Sequence, residues 1–430
     1  MLGIASRRRA VAILTAFFVS AYVCVYAEHL TIVGINDTHS MVLPDIDNLG
    51  GVLRQRAILD SVRAADKNVI AVHAGDNVQG TPFFSYFKGD VEYPTLDSLG
   101  YDYIIPGNHE FDNGTDELYK YYSKLKCKKL NANYKFKNKR FHRIFKPYDI
   151  VEIGGRKIAF IGVSVNLKGS VDKGKYDGVK YIDATKTAVC LAKKLKNSGK
   201  ADYVIVVSHI GYMPSNGNNT SDTMIVHRSH YIDAVIGGHS HTLIKPNNQS
   251  VDIPSIIPDK TGKNVIVTQT GRYGKCMTIL DLDLECGAIE HKLIPVDSRL
   301  DSATAKYVAM RQWIDGYKTK VDSAMKRIIA YNPTPLDNGK VNEAGNWVTD
   351  VMFDICKSLT AERVDCFIIN GKGLRHPIPK GGISEGFIKS FMPFESNIMI
   401  IRLKGRDLLK AFQVMASRGG DCVSSGVYVE

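Results

Sequence analysis

A chain of 430 residues with 44% hydrophobic content is long enough for two cores, which excludes a disordered polymer, and it has neither a low-complexity tract nor a solenoid-type period. The formal net charge of +12 becomes +9 once the three arginines of the first 27 residues are set aside, a balance that favours anionic ligands and leaves nucleic-acid binding as a competing reading. Without Cys24, seven cysteines remain, whose wide spacing shows no disulfide framework and whose odd number leaves at least one thiol buried or free.

In chain order, residues 1–27 read as a targeting segment: Arg7, Arg8 and Arg9, then an apolar stretch over 10–25, then Val25-Tyr-Ala27 as a cleavage site. The apolar run is short for a stable membrane span, and Ala21-Tyr-Val before Cys24 argues against a lipidated cysteine. The segment predicts a secreted, periplasmic or cell-surface protein with no transmembrane anchor after cleavage.

Residues 30–36, 68–74, 103–106, 203–208 and 234–236 are short apolar runs bounded by turn residues, the pattern of strands buried on both faces. Helical spacing occupies 49–66, 183–197 and 221–230, and Asp112 is placed to cap a helix Asn113–Leu125. The basic run from Lys124 to Lys139, which includes Tyr134 and Phe136, reads as solvated surface. Strands at 264–269, 276–284 and 289–295 are expected to close a second sheet, giving an α/β sandwich flanked by helices. One long helix over 301–328, capped by Ser302, would join this to a smaller α+β unit. That unit is read as helix 343–358, a buried strand Cys366–Asn370, strand 398–403, helix 405–417 and strand 423–429.

The residues that carry chemistry stand at the strand ends. Asp37 and His39, Asp76, Asn108 and His109, His209, then His239 and His241 each come directly after an apolar run. Ligands just past the carboxyl ends of such strands obey the site rule of α/β sheets. Imidazole, carboxylate and one amide, with no thiolate, suit Zn²⁺, Mn²⁺, Co²⁺ or Fe. Two such ions can clamp a phosphoryl group and hold an attacking hydroxide, and Asp76, alone after a glycine, is the best bridging residue. Asp112 stands about a turn from His109 and can fix its tautomer. His29, His73, His142, His227, His230, His291 and His376 read as surface or packed residues, His73 being the nearest to the site.

The blocks Asn36-Asp-Thr-His39, His73-Ala-Gly-Asp76, Gly107-Asn-His-Glu-Phe-Asp112, Ser208-His209 and Gly238-His-Ser-His241 resemble the calcineurin-like metallophosphoesterases, and among them the secreted 5′-nucleotidases. Asn370-Gly-Lys-Gly-Leu-Arg375, Pro393-Phe394 and Leu403-Lys-Gly-Arg-Asp-Leu408 are similar to that family's C-terminal domain. The resemblance implies a four-layer αββα domain over 28–299, a linker over 300–329 and a substrate-binding α+β domain over 330–430. It implies that Asp37, His39, Asp76 and His241 hold one divalent ion and Asp76, Asn108, His209 and His239 a second. His109 and Asp112 match the catalytic pair, Asn370, Gly371, Gly373 and Arg375 a substrate turn, and Arg418 a second phosphate-binding arginine. The implied activity is hydrolysis of nucleoside 5′-monophosphates by attack of a metal-bound hydroxide, with a nucleotide substrate and no stable nucleic-acid partner. The alternatives on the same metal core are a 2′,3′-cyclic-nucleotide phosphodiesterase with 3′-nucleotidase activity and a UDP-sugar pyrophosphatase; the non-enzymatic one is a nucleotide or nucleic-acid binding protein. The chain departs from the family where two aromatic rings clamp the base: Gly419-Gly-Asp-Cys422 replaces the first, and Glu430 precedes the place of the second, with Tyr428 a substitute by register only. The C-terminal domain therefore reads as incomplete.

Overall fold

The computed structural model describes residues 28–214, 219–250, 252–339, 342–392, 398–417 and 419–427, so the leader segment, Pro393-Phe394, Arg418 and Tyr428 lie outside it. Each apolar run becomes a strand whose two faces feed different cores. Along His29–Ile35, Leu30 and Ile32 face one cluster while Val33 and Ile35 face another. That strand is central in a seven-stranded sheet ordered Ile289–Pro295, Cys276–Asp283, His29–Ile35, Val69–His73, Tyr103–Ile104, Lys128–Leu130, Phe145–Lys146. The second sheet has six strands, ordered Ile256–Pro258, Asn264–Thr268, Ala234–Ile236, Tyr203–His209, Arg156–Ser164, Tyr148–Ile153.

The sheets meet face to face, with Leu30, Ile32, Val72 and Tyr103 of one against Phe160, Ile205, Val207 and Ile236 of the other. The outer face of the first sheet is covered by helices Val52–Ala65, Glu92–Leu99 and Gly114–Tyr122. Helices Ala184–Asn197 and Asp222–His227 cover the second. The result is the expected four-layer αββα sandwich. A smaller core of Ala344, Val348, Leu374, Ile378, Ile383 and Phe391 organises the C-terminal unit.

Several expectations are corrected. Cys276–Asp283 and Ile289–Pro295 do not close the second sheet; Cys276–Asp283 runs antiparallel to His29–Ile35 in the first, with Gly34 opposite Thr278. Alternation tells which face of a strand is buried, not which neighbour takes its hydrogen bonds. The long helix breaks into Asp301–Thr304 and Val308–Lys326. Arg54 grips Asp301 with two bonds (2.6 and 3.1 Å) and Tyr307 bonds Asp60 (2.8 Å), pinning the break to Val52–Ala65. Ser302 lies inside the first piece, and the side-chain cap is Asp297, which accepts from Arg299 N ahead of it. Residues 398–403 form no strand: Met399, Ile401 and Leu403 are exposed and lack a ladder partner among the described residues. Of the strand expected over 423–429, Val423 alone pairs among the described residues, in a short strand Cys422–Val423 against Ile368–Ile369, and Ile368 is exposed rather than buried. An apolar alternating stretch is eligible for a sheet, but needs an open edge to join.

Tyr134 and Phe136 are buried in the first core, so the basic run offers no exposed ring for stacking a base. The seven cysteines of the described residues are free thiols.

Glu92 is buried on the helix covering the first sheet, and neither carboxylate oxygen finds a partner among the described residues. Burial pushes its carboxyl up to about 7. The folded state thus favours the neutral acid, a contribution fully present below the ordinary value near 4.5 and lost as pH rises through about 7. Glu92→Gln is expected to exceed wild type in unfolding free energy by roughly 3 kcal/mol at pH 8 and by little at pH 4. Urea titrations at both values check this, and a pH-independent difference would contradict it.

Candidate metal centre

The carboxyl ends of both sheets deliver their side chains to one place. Asp37, His39, Asp76, Asn108 and His109 come from loops of the first sheet, and His209, His239 and His241 from the second. The loops after His29–Ile35 and Val69–His73 run side by side: Asp37 N donates to Gly75 O (3.0 Å), His39 N to Asp76 O (3.0 Å) and Ser40 N to Asn77 O (2.9 Å). This lateral zipper extends the parallel ladder beyond the sheet.

Five of the donors sit in the left-handed region that non-glycine residues avoid: Asp37 (φ 50°), His39 (48°), Asp76 (54°), His239 (79°) and His241 (55°). Each such residue costs on the order of 1–3 kcal/mol and persists only where its surroundings over-determine it. The surroundings are visible. Glu110, buried, accepts from Asp76 N (2.9 Å), Asn77 N (2.8 Å) and Gly107 N (2.5 Å), binding two ligand loops with one carboxylate. Gly107 must be glycine, because a Cβ there would lie 2.2 Å from Asp76 Oδ1. On the other sheet, buried Asp222 accepts from Ser208 Oγ (2.6 Å) and Gln269 Nε2 (2.7 Å). The same amide nitrogen also donates to Gly238 O (3.1 Å), while Gln269 Oε1 accepts from Ser240 Oγ (3.0 Å). That network aims the His239–His241 turn.

The donors converge in three sets, each with ligand atoms within 4.8 Å of one another: Asp37, His39 and His241; His39, Asp76 and His109; Asp76, His209 and His239. Asp76 and His39 each belong to two of them. Asn108 Oδ1 stands 2.9 Å from His239 Nδ1. Asp37 Oδ1 lies 3.4 Å from His241 Nε2, 3.6 Å from His39 Nε2 and 3.9 Å from His209 Nε2. His39 Nε2 and His241 Nε2 face each other at 2.9 Å.

The residues fit divalent cations. Asp37 Oδ1 is buried with no hydrogen-bond partner among the described residues, and buried His209 Nε2 faces Asp76 Oδ2 at 3.0 Å. Ala74 O can only accept, so His209 Nδ1 carries the proton of their 2.7 Å bond, which turns Nε2 toward the cluster. Burial works to raise the Asp76 carboxyl, but His209, with His109 and His39, overrides it and holds the group well below the usual carboxylate range. Burial likewise opposes charge on His109, yet Asp76 and Asp112 outweigh it and lift the imidazole to about 9.

His109 Nδ1 bonds Asp112 Oδ2 at 2.7 Å, as expected for an orienting carboxylate. Asp112 does not cap the next helix: it ends the short turn His109–Phe111, and Asn113 takes the position before Gly114–Tyr122. The one-residue offset frees Asp112 for the histidine.

Asn370, Gly371, Gly373 and Arg375 form a separate turn in the C-terminal unit, with Gly373 N donating to Asn370 O (2.8 Å) and Arg375 N to Phe391 O (2.9 Å). Arg375 is exposed. Of the other histidines, His73 alone adjoins the centre, its Nε2 3.1 Å from Thr38 Oγ1. Sequence reasoning assigned no role to Glu110 or Asn36, although both lie inside the motif blocks. Asp222 and Gln269 carry no local signal, because their partners are distant in the chain.

A profile described as calcineurin-like phosphoesterase matches residues 30–243, and one described as 5′-nucleotidase, C-terminal domain, matches residues 321–428. Mouse 5′-nucleotidase is 27% identical over 441 positions, covering 94% of this chain and 74% of that protein. An apyrase of Tabanus yao is 27% identical over 418 positions, covering 89% of this chain and 73% of its own length. Among solved structures, the 5′-nucleotidase precursor of Thermus thermophilus is similar with a TM-score of 0.73 at 26% identity, over 92% of this chain and 81% of that one.

Asp222 touches none of the convergent donor atoms, so its effect is exerted through Ser208 and Gln269. Asp222→Ala is expected to weaken divalent-metal binding by about 10–100-fold, and Asp222→Asn, which retains an acceptor, by less. Competition with a chelating dye measures both, and wild-type affinity in the alanine variant would refute the positioning role.

Proposed function

The chain belongs to the 5′-nucleotidase family of calcineurin-like phosphoesterases and is a metal-dependent phosphoester hydrolase; within that class we propose that it is a secreted enzyme that releases phosphate from nucleoside 5′-monophosphates with two divalent ions. The observation that carries this is the overlap of three convergent donor sets, His39 joining the Asp37–His241 set to Asp76 and Asp76 joining it in turn to His209 and His239.

Asp37, His39, Asp76 and His241 would hold one ion, and Asp76, Asn108, His209 and His239 the other. Once bound, such ions supply Lewis-acid polarisation of the phosphoryl group and a water acidic enough to react near neutral pH. The donor chemistry suits Zn²⁺, Mn²⁺, Co²⁺ or Fe. His109 and Asp112 supply the proton side of the reaction. Asp112 anchors Nδ1 and favours the protonated ring, which leaves the other ring nitrogen free to donate. That nitrogen is suited to stabilise phosphoryl oxygens and to protonate the departing 5′-oxygen. Residues 28–299 form the catalytic domain, 300–329 the connection and 330–430 the substrate-binding domain. There Arg375 and Arg418 recognise substrate phosphate, and the turn Asn370 to Gly373 brings backbone close to it. Secretion rests on the Arg7–Arg9 basic start and apolar stretch of residues 1–27. Among the described residues no helix is long and apolar enough to cross a membrane.

Phosphate release from AMP, 2′,3′-cyclic AMP and UDP-glucose by Mn²⁺-loaded protein tests the reading. AMP is expected to be the preferred substrate, a chelator to abolish turnover, and His109→Ala to lower kcat by about 10²–10⁴-fold. Robust AMP turnover by that variant would remove the assigned role, and preference for UDP-glucose would transfer the protein to the pyrophosphatase reading.

A further inference from the structure

From Leu118 to Tyr148 the chain carries nine lysines and two arginines and no aspartate or glutamate. Folding divides these cations into two groups. Lys126 pairs with Asp97 (3.3 Å), Lys128 and Lys146 with Asp149 (2.5 and 3.8 Å), and Arg140 with Asp116. Lys135, Lys137, Lys139 and Arg143 are exposed and form no ion pair among the described residues.

The second group is organised by a two-stranded ribbon in which Tyr134–Phe136 runs antiparallel to Val179–Tyr181. The register sets Lys135 directly opposite Lys180, between the pairs Tyr134 with Tyr181 and Phe136 with Val179. Lys137 N donates to Gly178 O (2.8 Å), which carries the pairing one step further. Side chains alternate along a strand, so the burial of Tyr134 and Phe136 sends Lys135 and Lys137 to the outer face, where the exposed Lys180 meets them. Opposed residues stand roughly 4.5–5.5 Å apart at Cβ, and like charges so placed destabilise a ribbon. The nearest carboxylates along the second strand do not relieve this. Asp183 is turned to the helix Ala184–Asn197, where it accepts from Lys186 N (2.7 Å), and Asp177 forms no ion pair among the described residues. The ribbon thus keeps a repulsion that an external anion would remove.

The form of the surface narrows the class of anion. Its inner face is packed flat, Phe136 stacking on Phe141 at 4.1 Å and Tyr134 meeting Phe111 edge-on at 5.6 Å, so the ribbon is not free to enter the groove of a double helix. Its rings point inward, which leaves no platform on which a single-stranded base could stack. It exposes no large apolar side chain to insert among lipid chains. A thin, flexible polymer bearing anionic groups at close intervals can lie across it. Lysine ammonium groups act there as mobile point charges rather than as a fixed fork.

We infer that the outer face of this ribbon, with Lys135, Lys137 and Lys180 at its centre and Lys139 and Arg143 in the turn that follows, is a docking surface for a sulfated polysaccharide. None of these residues belongs to the metal-ligand sets, so the assignment stands apart from the phosphohydrolase reading.

Titration calorimetry of the whole protein with heparin, over a range of NaCl concentrations, tests it. The triple variant Lys135→Gln, Lys137→Gln, Lys180→Gln is expected to bind about 10–100-fold more weakly, with the salt dependence of log Kd reduced by about 2–3. A second triple variant, Lys126→Gln, Lys128→Gln, Lys146→Gln, removes the same charge from carboxylate-paired positions and is expected to stay within about twofold of wild type. The ribbon variant is expected to melt at the wild-type temperature or above, because a like-charge contact has been removed, so its weaker binding is not a loss of fold. Wild-type protein that does not bind heparin, or equal losses in the two variants, would overturn the inference. Tighter binding of a double-stranded oligonucleotide or of phosphatidylserine vesicles than of heparin would overturn the choice of a polysaccharide.

Discussion

A carboxylate buried at the junction of two sheets, Asp76, sets the terms for everything around it. Removing such a charge from water is costly unless several partners compensate. Here His209 stands 3.0 Å from one oxygen, and the backbone N–H of His109 donates to the other at 2.9 Å. The main chain at Asp76 is in turn held by Glu110. Loosening any of these would leave a charge without compensation and a left-handed residue without restraint. Packing, strain and function therefore converge on one side chain.

The sandwich supplies the rigidity that this arrangement requires. Three ligand loops leave the seven-stranded sheet and two leave the six-stranded one, so the donor geometry is only as accurate as the register between the sheets. The dry layer of Leu30, Ile32, Val72, Phe160, Ile205 and Ile236 fixes that register. Polar ties lock the rim: Asn36 joins Asp37 to the segment starting at Thr270, and Gln269, beside it, joins Asp222 to the His239–His241 turn. Residues 269 and 270 thus brace both halves of the centre.

The strand ends were legible because two signals coincide there: a run of β-branched residues ends, and a metal-binding side chain comes within three positions. His209 and Asp76 are plain instances. Partnership across distance was not legible. Nothing near Asp222 says that its carboxylate will meet Ser208 and Gln269, and nothing in the alternation of residues 276–284 says which sheet they join. The break after Thr304 was hidden for the same reason, since Arg54 and Asp60, which pin it, lie some 240 residues earlier. In the C-terminal unit helices Glu343–Leu359 and Gly405–Ser417 match their expectation, whereas helix Glu385–Phe391 and the paired strands Ile328–Asn332 and Gly381–Ser384 were not foreseen, and residues 398–403 found no partner edge among the described residues.

The central claim is that one carboxylate serves two cations. Counting bound ions per chain by equilibrium dialysis and elemental analysis, for the wild type and for Asp76→Ala, addresses it directly. Two ions in the wild type and weakened binding of both in the variant is the predicted result. One ion in the wild type, or a variant that loses one ion while the other binds unchanged, would contradict a shared Asp76.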